Sequence, residues 1–240
     1  MGKLILISSG KGGVGKSTIT SNLGAIFGER GLKVALVDMN IGLRNLDIYM
    51  GLENRVIFDT VDVMDGVVPL KRAMIKDRRF QALYLLSTTQ KKEKFKADKA
   101  AISKLYKQLK ASFDIVLIDG PAGVNDELLL AATDAELSVV VTTPEHVSLR
   151  DADMVEQTLR NNGLRDRVYV VNKVNKNFFS KGILPTVEVI TSIMKIPLVG
   201  VVQQDDSIHL AANSGEPIVL TANNYIERNF GKIADRILTY

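Results

Sequence analysis

Seven short apolar runs recur along the chain, at residues 4–8, 33–38, 83–87, 115–119, 138–142, 167–172 and 197–201. Most are nearly continuous in Val, Ile and Leu rather than alternating, as expected of strands covered on both faces of a parallel sheet. Between them, apolar residues recur at helical spacing over residues 17–30, 68–75, 98–111, 127–132, 149–161 and 186–194. Strands alternating with amphipathic helices predict an α/β fold, an open, doubly wound, mostly parallel sheet with helices on both faces. No repeat, low-complexity tract or linker interrupts the pattern, so residues 1–240 read as one domain.

The first strand and first helix are joined by Ser9-Gly10-Lys11-Gly12-Gly13-Val14-Gly15-Lys16-Ser17-Thr18, which fits the phosphate-binding pattern G-x-x-x-x-G-K-[ST]. Glycines let the backbone curl so that successive N–H groups face phosphate oxygens. The helix N-terminus adds partial positive charge and Lys16 a full one. Ser17 offers a hydroxyl to Mg²⁺. A glycine-rich turn fitting by chance is the competing reading, and strand, loop and helix in register argue against it. Asp38 and Asp119 each end an apolar run, where ligands of open α/β sheets bind. Alone, a strand-ending aspartate reads equally well as a helix cap. Before Gly120-Pro121-Ala122-Gly123 in a P-loop chain, Asp119 reads as a Walker B carboxylate holding Mg²⁺ directly or through water.

Composition changes little. There is no cysteine, which excludes disulfides, thiolate metal sites and cysteine nucleophiles and fits a reducing compartment. The N-terminus enters a strand directly, without the pattern of a secretory signal, and no apolar run is long enough to span a bilayer. The net charge of +4 is too small to argue for nucleic acid or lipid.

Three segments together resemble the MinD family, within the MinD/ParA group of bacterial deviant-Walker P-loop ATPases. They are the loop Lys11-Gly12-Gly13-Val14-Gly15-Lys16-Ser17-Thr18, the stretch Val37-Asp38-Met39-Asn40-Ile41-Gly42-Leu43-Arg44-Asn45-Leu46-Asp47, and Asp119-Gly120-Pro121-Ala122-Gly123. The likeness runs on through Gly200 and Gly215-Glu216-Pro217 to the last helix. It implies ATP/ADP and Mg²⁺ as cofactors, a homodimer with ATP, and division-site selection through a MinC-like septation inhibitor and a MinE-like regulator. It makes the surplus Lys11 a group acting across the dimer on the partner's phosphates. The expected catalytic set is Lys11, Lys16, Asp38 and Asn40, and the expected metal set is Ser17, Asp38 and Asp119. Nucleotide contacts fall to Gly10, Lys11, Gly12, Gly13, Val14, Gly15, Lys16, Ser17 and Thr18, with Asn172 against the base and residues 202–206 as the opposite wall. Asp151 and Asp153, expected to open a helix, fall on the face that receives regulators.

The sequence departs from the family at two places. The family's water-orienting carboxylate falls at Asn40, a neutral side chain, so hydrolysis is expected to be impaired while phosphate and metal binding persist. Ile226, Phe230, Ile233 and Ile237 align with the family's last domain helix, and the family's basic membrane-targeting helix is expected to be lacking. The resemblance places the full-length, ATP-bound protein at the inner face of the bacterial membrane and otherwise in the cytoplasm. A ParA-like or flagellar-number ATPase and a nucleotide-gated scaffold are the alternatives. His146 and His209 are isolated and read as structural or surface residues. Lys91, Lys92, Lys94, Lys96 and Lys99 read as a solvated face, with nucleic-acid contact disfavoured.

Overall fold

A computed structural model describes residues 2–96, 98–221 and 225–240. All seven apolar runs are strands: β1 (Lys3–Ser9), β2 (Val34–Asp38), β4 (Leu83–Leu86), β5 (Ile115–Ala122), β6 (Leu137–Thr142), β7 (Asp166–Val174) and β8 (Leu198–Gln203). A two-residue strand, β3 (Ile75–Lys76), completes one eight-stranded sheet ordered β3-β4-β2-β5-β1-β6-β7-β8. β3 pairs antiparallel to β4, and every other pairing is parallel.

Two-sided burial explains why the strands read as unbroken apolar runs. Along β1, Ile5 and Ile7 join the core on one face, with α1 (Lys16–Glu29) and α11 (Tyr225–Ile237). Leu4 and Leu6 join the core on the other, with α5 (Lys99–Ser112), α6 (Asp126–Ala131) and α7 (His146–Asn161). The last helix packs on the sheet as expected, because Ile226, Phe230, Ile233 and Ile237 are all at most 2% exposed. Each such side chain contributes about 1.5–3 kcal/mol by leaving water. Gly200 lets α11 lie close: a Cβ there would stand 2.3 Å from Ile233 Cγ1.

The expected helix at 68–75 is shorter, α4 (Leu70–Ala73). Pro69 caps it, Met74 is already extended at ψ 122°, and Ile75 pairs with Leu85 in β3. α7 begins at His146, one turn before the expected start, so Asp151 and Asp153 lie inside the helix rather than opening it. α9 (Val187–Met194) follows its expectation. Four helices were not foreseen: α2 (Leu46–Tyr49), α3 (Thr60–Met64), α8 (Lys176–Ser180) and α10 (Asp206–Asn213).

Candidate active site

The loop after β1 crosses the carboxyl ends of the central strands into α1. Gly13 and Gly15 take φ of 77° and 101°, a left-handed conformation other residues resist, and Gly15 caps α1. No acidic residue occupies the first turn of α1, so nothing competes with an anion for its free N–H groups. Space above Gly12 and Gly13 is open to 4 Å. Gly10 is small for another reason: a Cβ there would stand 2.2 Å from the Asp151 backbone, so α7 rests directly on the loop. Lys16 is 8% exposed and donates to Ser9 Oγ at 2.9 Å. Burial lowers its pKa, against the opposing pull of Asp119 and Asp38. Lys11 differs. It is exposed, and its ammonium has no partner among the described residues.

β2 and β5 place Asp38 directly opposite Asp119 in register. Asp119 accepts from Ser17 Oγ at 2.6 Å and Thr20 Oγ1 at 3.1 Å. Asp38 accepts three backbone N–H groups, from Asn40 at 2.8 Å and from Asn45 and Leu46 at 3.1 Å each. Both carboxyls are buried. Loss of water and then the facing Asp119 raise Asp38 to about 7, although the N–H groups of Asn40 and Leu46 pull it down. Burial likewise raises Asp119, opposed by Ser17, Lys16 and Thr20. Two oxygen-rich carboxyls held at this cost beside a hydroxyl, next to an open nest of N–H groups, fit a hard cation such as Mg²⁺.

Residues 39–45 form a loop above this pair. Asn40 O accepts from Leu43 and Arg44, Gly42 and Arg44 turn left-handed, and Arg44 pairs with buried Asp47 at 2.8 Å. The loop and the P-loop bound a cavity of about 220 Å³ that takes in Asn40, Asn45 and Tyr49. Its far wall is α10, through Ile208, His209 and Ala212. None of residues 202–206 lines this cavity, whose wall begins two residues further on, at Ile208 in α10. Val202 is 2% exposed and belongs to the core, while Asp205 caps α10 by accepting from Ser207 N. Arg79 staples the two walls together, donating to Met50 O at 2.6 Å and Gly215 O at 3.1 Å while paired with Asp77.

Asn172, 4% exposed, donates from Nδ2 to Val14 O at 2.8 Å. It clamps the P-loop from β7. Neighbouring Lys173 donates to Gly13 O at 2.7 Å and lines the cavity. Asp151 abuts Gly10, and Asp153, a little further along α7, accepts from Gln157. His146 opens α7 and is exposed. The basic run is not wholly free. Gly42 N donates to Thr89 O at 3.0 Å, and Lys92 pairs with Glu127 at 2.5 Å, strapping this segment to the 39–45 loop and to α6. Tyr49, Arg79 and the role of Lys173 escaped sequence reasoning, while His209, read as a structural or surface residue, is exposed and lines the cavity. Asp205 before Ser207, Ile208 and Ala211 was the one legible sign of α10.

Comparison with known proteins agrees with this geometry. A family model described as "ParA: NUBPL iron-transfer P-loop NTPase" matches residues 1–238. The septum site-determining protein MinD of Bacillus subtilis is 40% identical over 240 residues, covering 99% of this chain and 90% of that protein. The MinC:MinD cell division protein complex of Aquifex aeolicus superposes with TM-score 0.92 at 35% identity, covering 99% of this chain and 96% of that one. Septum site-determining MinD from Pyrococcus horikoshii, complexed with Mg-ADP, gives TM-score 0.88 at 30% identity, covering 99% and 96%.

Proposed function

Since the chain belongs to the MinD septum site-determining ATPases of the ParA family, we propose that it is an ATP-gated dimeric switch with slowed hydrolysis. The observation that carries the reading is the convergence of Lys16, Ser17, Asp38 and Asp119 where the central strands end. ATP/ADP and Mg²⁺ are its cofactors. Ser17, Asp119 and Asp38 would hold Mg²⁺, which when bound offsets phosphate charge. N–H groups of residues 12–17 and the Lys16 ammonium bind and orient the phosphates. Asn172 and Lys173 hold the carbonyls of Val14 and Gly13, and in this reading Asn172 is also the contact to the base.

Exposed Lys11 is free to reach a second subunit, so ATP joins two copies. In the pair, α7 carries Asp151 and Asp153 toward a MinC-like septation inhibitor and a MinE-like regulator. Asp151 rests on Gly10, which gives the bound nucleotide a direct route to that face. The setting is the inner face of the bacterial membrane. The MinC complex formed by the Aquifex relative supports this partner class.

Asn40 sets the rate. It lies at the cavity wall, where a carboxylate could accept a proton from an attacking water and a carboxamide cannot. Losing such a group costs about 10²–10⁴-fold. Sedimentation with ADP and with ATP, combined with single-turnover hydrolysis, tests both parts. ATP-dependent dimers that disappear in Lys11→Ala, with monomer nucleotide binding retained, are expected. Asn40→Asp should speed single turnover at least roughly tenfold. Dimers that survive Lys11→Ala would remove the trans-acting lysine, and equal turnover in Asn40→Asp would remove the role given to Asn40.

A further inference from the structure

The whole chain carries a net charge of +4, yet residues 91–110 hold eight lysines against Glu93 and Asp98, a net +6. The other residues are therefore net −2, and the basic character of the protein is concentrated at the strap and α5. On α5 the apolar face, Ile102, Leu105, Tyr106 and Leu109, is buried. Lys104 and Lys107 are exposed.

Beside this face runs an open groove of about 710 Å³ between α4 and α5. Its floor includes Leu70, Met74, Tyr84 and Phe113, all half-buried, and its rim carries exposed Lys33 and Lys71. Gln108 and Ala111 of α5 also line it. Lys104 and Lys107 stand four residues before them, on the same helix face. Among the described residues none of these four ammonium groups has a carboxylate partner, and no acidic side chain lines the groove.

We propose that the α4–α5 groove docks an acidic amphipathic peptide segment of a partner protein, its apolar face in the groove and its carboxylates on Lys33, Lys71, Lys104 and Lys107. The relief of the surface chooses this occupant. Here the apolar groups are recessed and the charges protrude. Insertion into a bilayer needs the opposite relief, with apolar groups outermost. Duplex phosphates would meet the lysines but have nothing to fill an apolar groove. An amphipathic helix supplies both surfaces at once. The site lies beyond the nucleotide cavity and does not depend on what that cavity hydrolyses.

The probe is a fluorescent synthetic peptide with leucines at i, i+3, i+4 and i+7 and glutamates flanking that stripe on both sides, compared with a scrambled peptide of equal composition. Fluorescence anisotropy on the full chain should give at least about tenfold tighter binding of the amphipathic peptide. Leu70→Gln, or Lys104→Glu with Lys107→Glu, should each weaken it at least about fivefold while fluorescent ADP binds unchanged, which shows the fold intact. Equal binding of the scrambled peptide, or no effect of either variant, overturns the proposal. So does tighter binding to duplex DNA or phosphatidylserine vesicles than to the peptide.

Discussion

Asp38 and Asp119 make the nucleotide-free protein respond to pH in a direction opposite to that of most carboxylates. Asp38 is fully buried and rises from an ordinary 3.8 to about 7. A carboxyl whose pKa is higher folded than unfolded takes up a proton on folding between the two values, so stability falls as pH rises through that window, here from about 4 to about 7. The whole shift corresponds to about 4 kcal/mol at 1.36 kcal/mol per pKa unit. Between pH 5 and pH 8 the loss integrates to roughly 3 kcal/mol, because part of the window lies below pH 5. Asp119 is raised as well, by burial, and acts in the same direction.

For a chain of this length each kcal/mol moves Tm by about 2–4 °C, so the nucleotide-free protein in chelator should melt roughly 5–10 °C higher at pH 5 than at pH 8. Asp38→Asn is judged by its slope rather than its absolute Tm. The amide nitrogen cannot accept from Asn45 or Leu46, which costs stability at every pH. The slope between pH 5 and pH 8 should shrink by more than half. Saturating Mg-ADP should flatten the wild-type slope, because bound cation favours the ionised pair. Calorimetry at several pH values decides. A Tm that is flat or falls on acidification, or an unchanged slope in Asp38→Asn, would refute the electrostatic account.

Gly10→Ala drives a Cβ into the Asp151 backbone and should weaken fluorescent ADP binding at least about tenfold, whereas Gly12→Ala, facing open space, should bind ADP within about threefold of wild type. Arg79→Ala unties Met50 from Gly215 and leaves Asp77, 2% exposed, without its cation; a Tm drop of roughly 5 °C or more with weakened ADP binding is expected by calorimetry and titration. Gly200→Ala presses on Ile233 and should lower Tm by several degrees while leaving nucleotide affinity intact, since the overpacking of about 1–3 kcal/mol lies on the α11 side of β8.

The seven strands were legible because both of their faces are largely buried, and that demand writes apolar residues at most of their positions. β3 was not, because two residues carry no period, and Ile75 is fixed by pairing with Leu85 across the sheet. Lys16, Ser17 and Asp119 were legible through spacing that phosphate and metal chemistry imposes on local sequence. His209 was not: a lone histidine carries no spacing signal, and what brings it to the cavity is the position of α10, set by Asp205 and by Arg79 reaching from Asp77 to Gly215. Asn172 was a candidate through resemblance and its place at a strand end, and its bond to Val14 could not be read from a residue 158 positions away.

Gly10 is the most instructive of these residues, because the motif explains it by one cause and the structure by another. As the first glycine of a phosphate loop it is expected to bend toward an anion, and any P-loop protein would need it there. In this fold its missing side chain is space occupied by the Asp151 backbone, so the small residue that a phosphate loop asks for is also the one that seats α7. A motif records that a position must be small without recording which neighbour requires it. Any movement of the loop on phosphate binding would press on α7 at this glycine, and that is the route by which the proposed function would link nucleotide to the Asp151–Asp153 face.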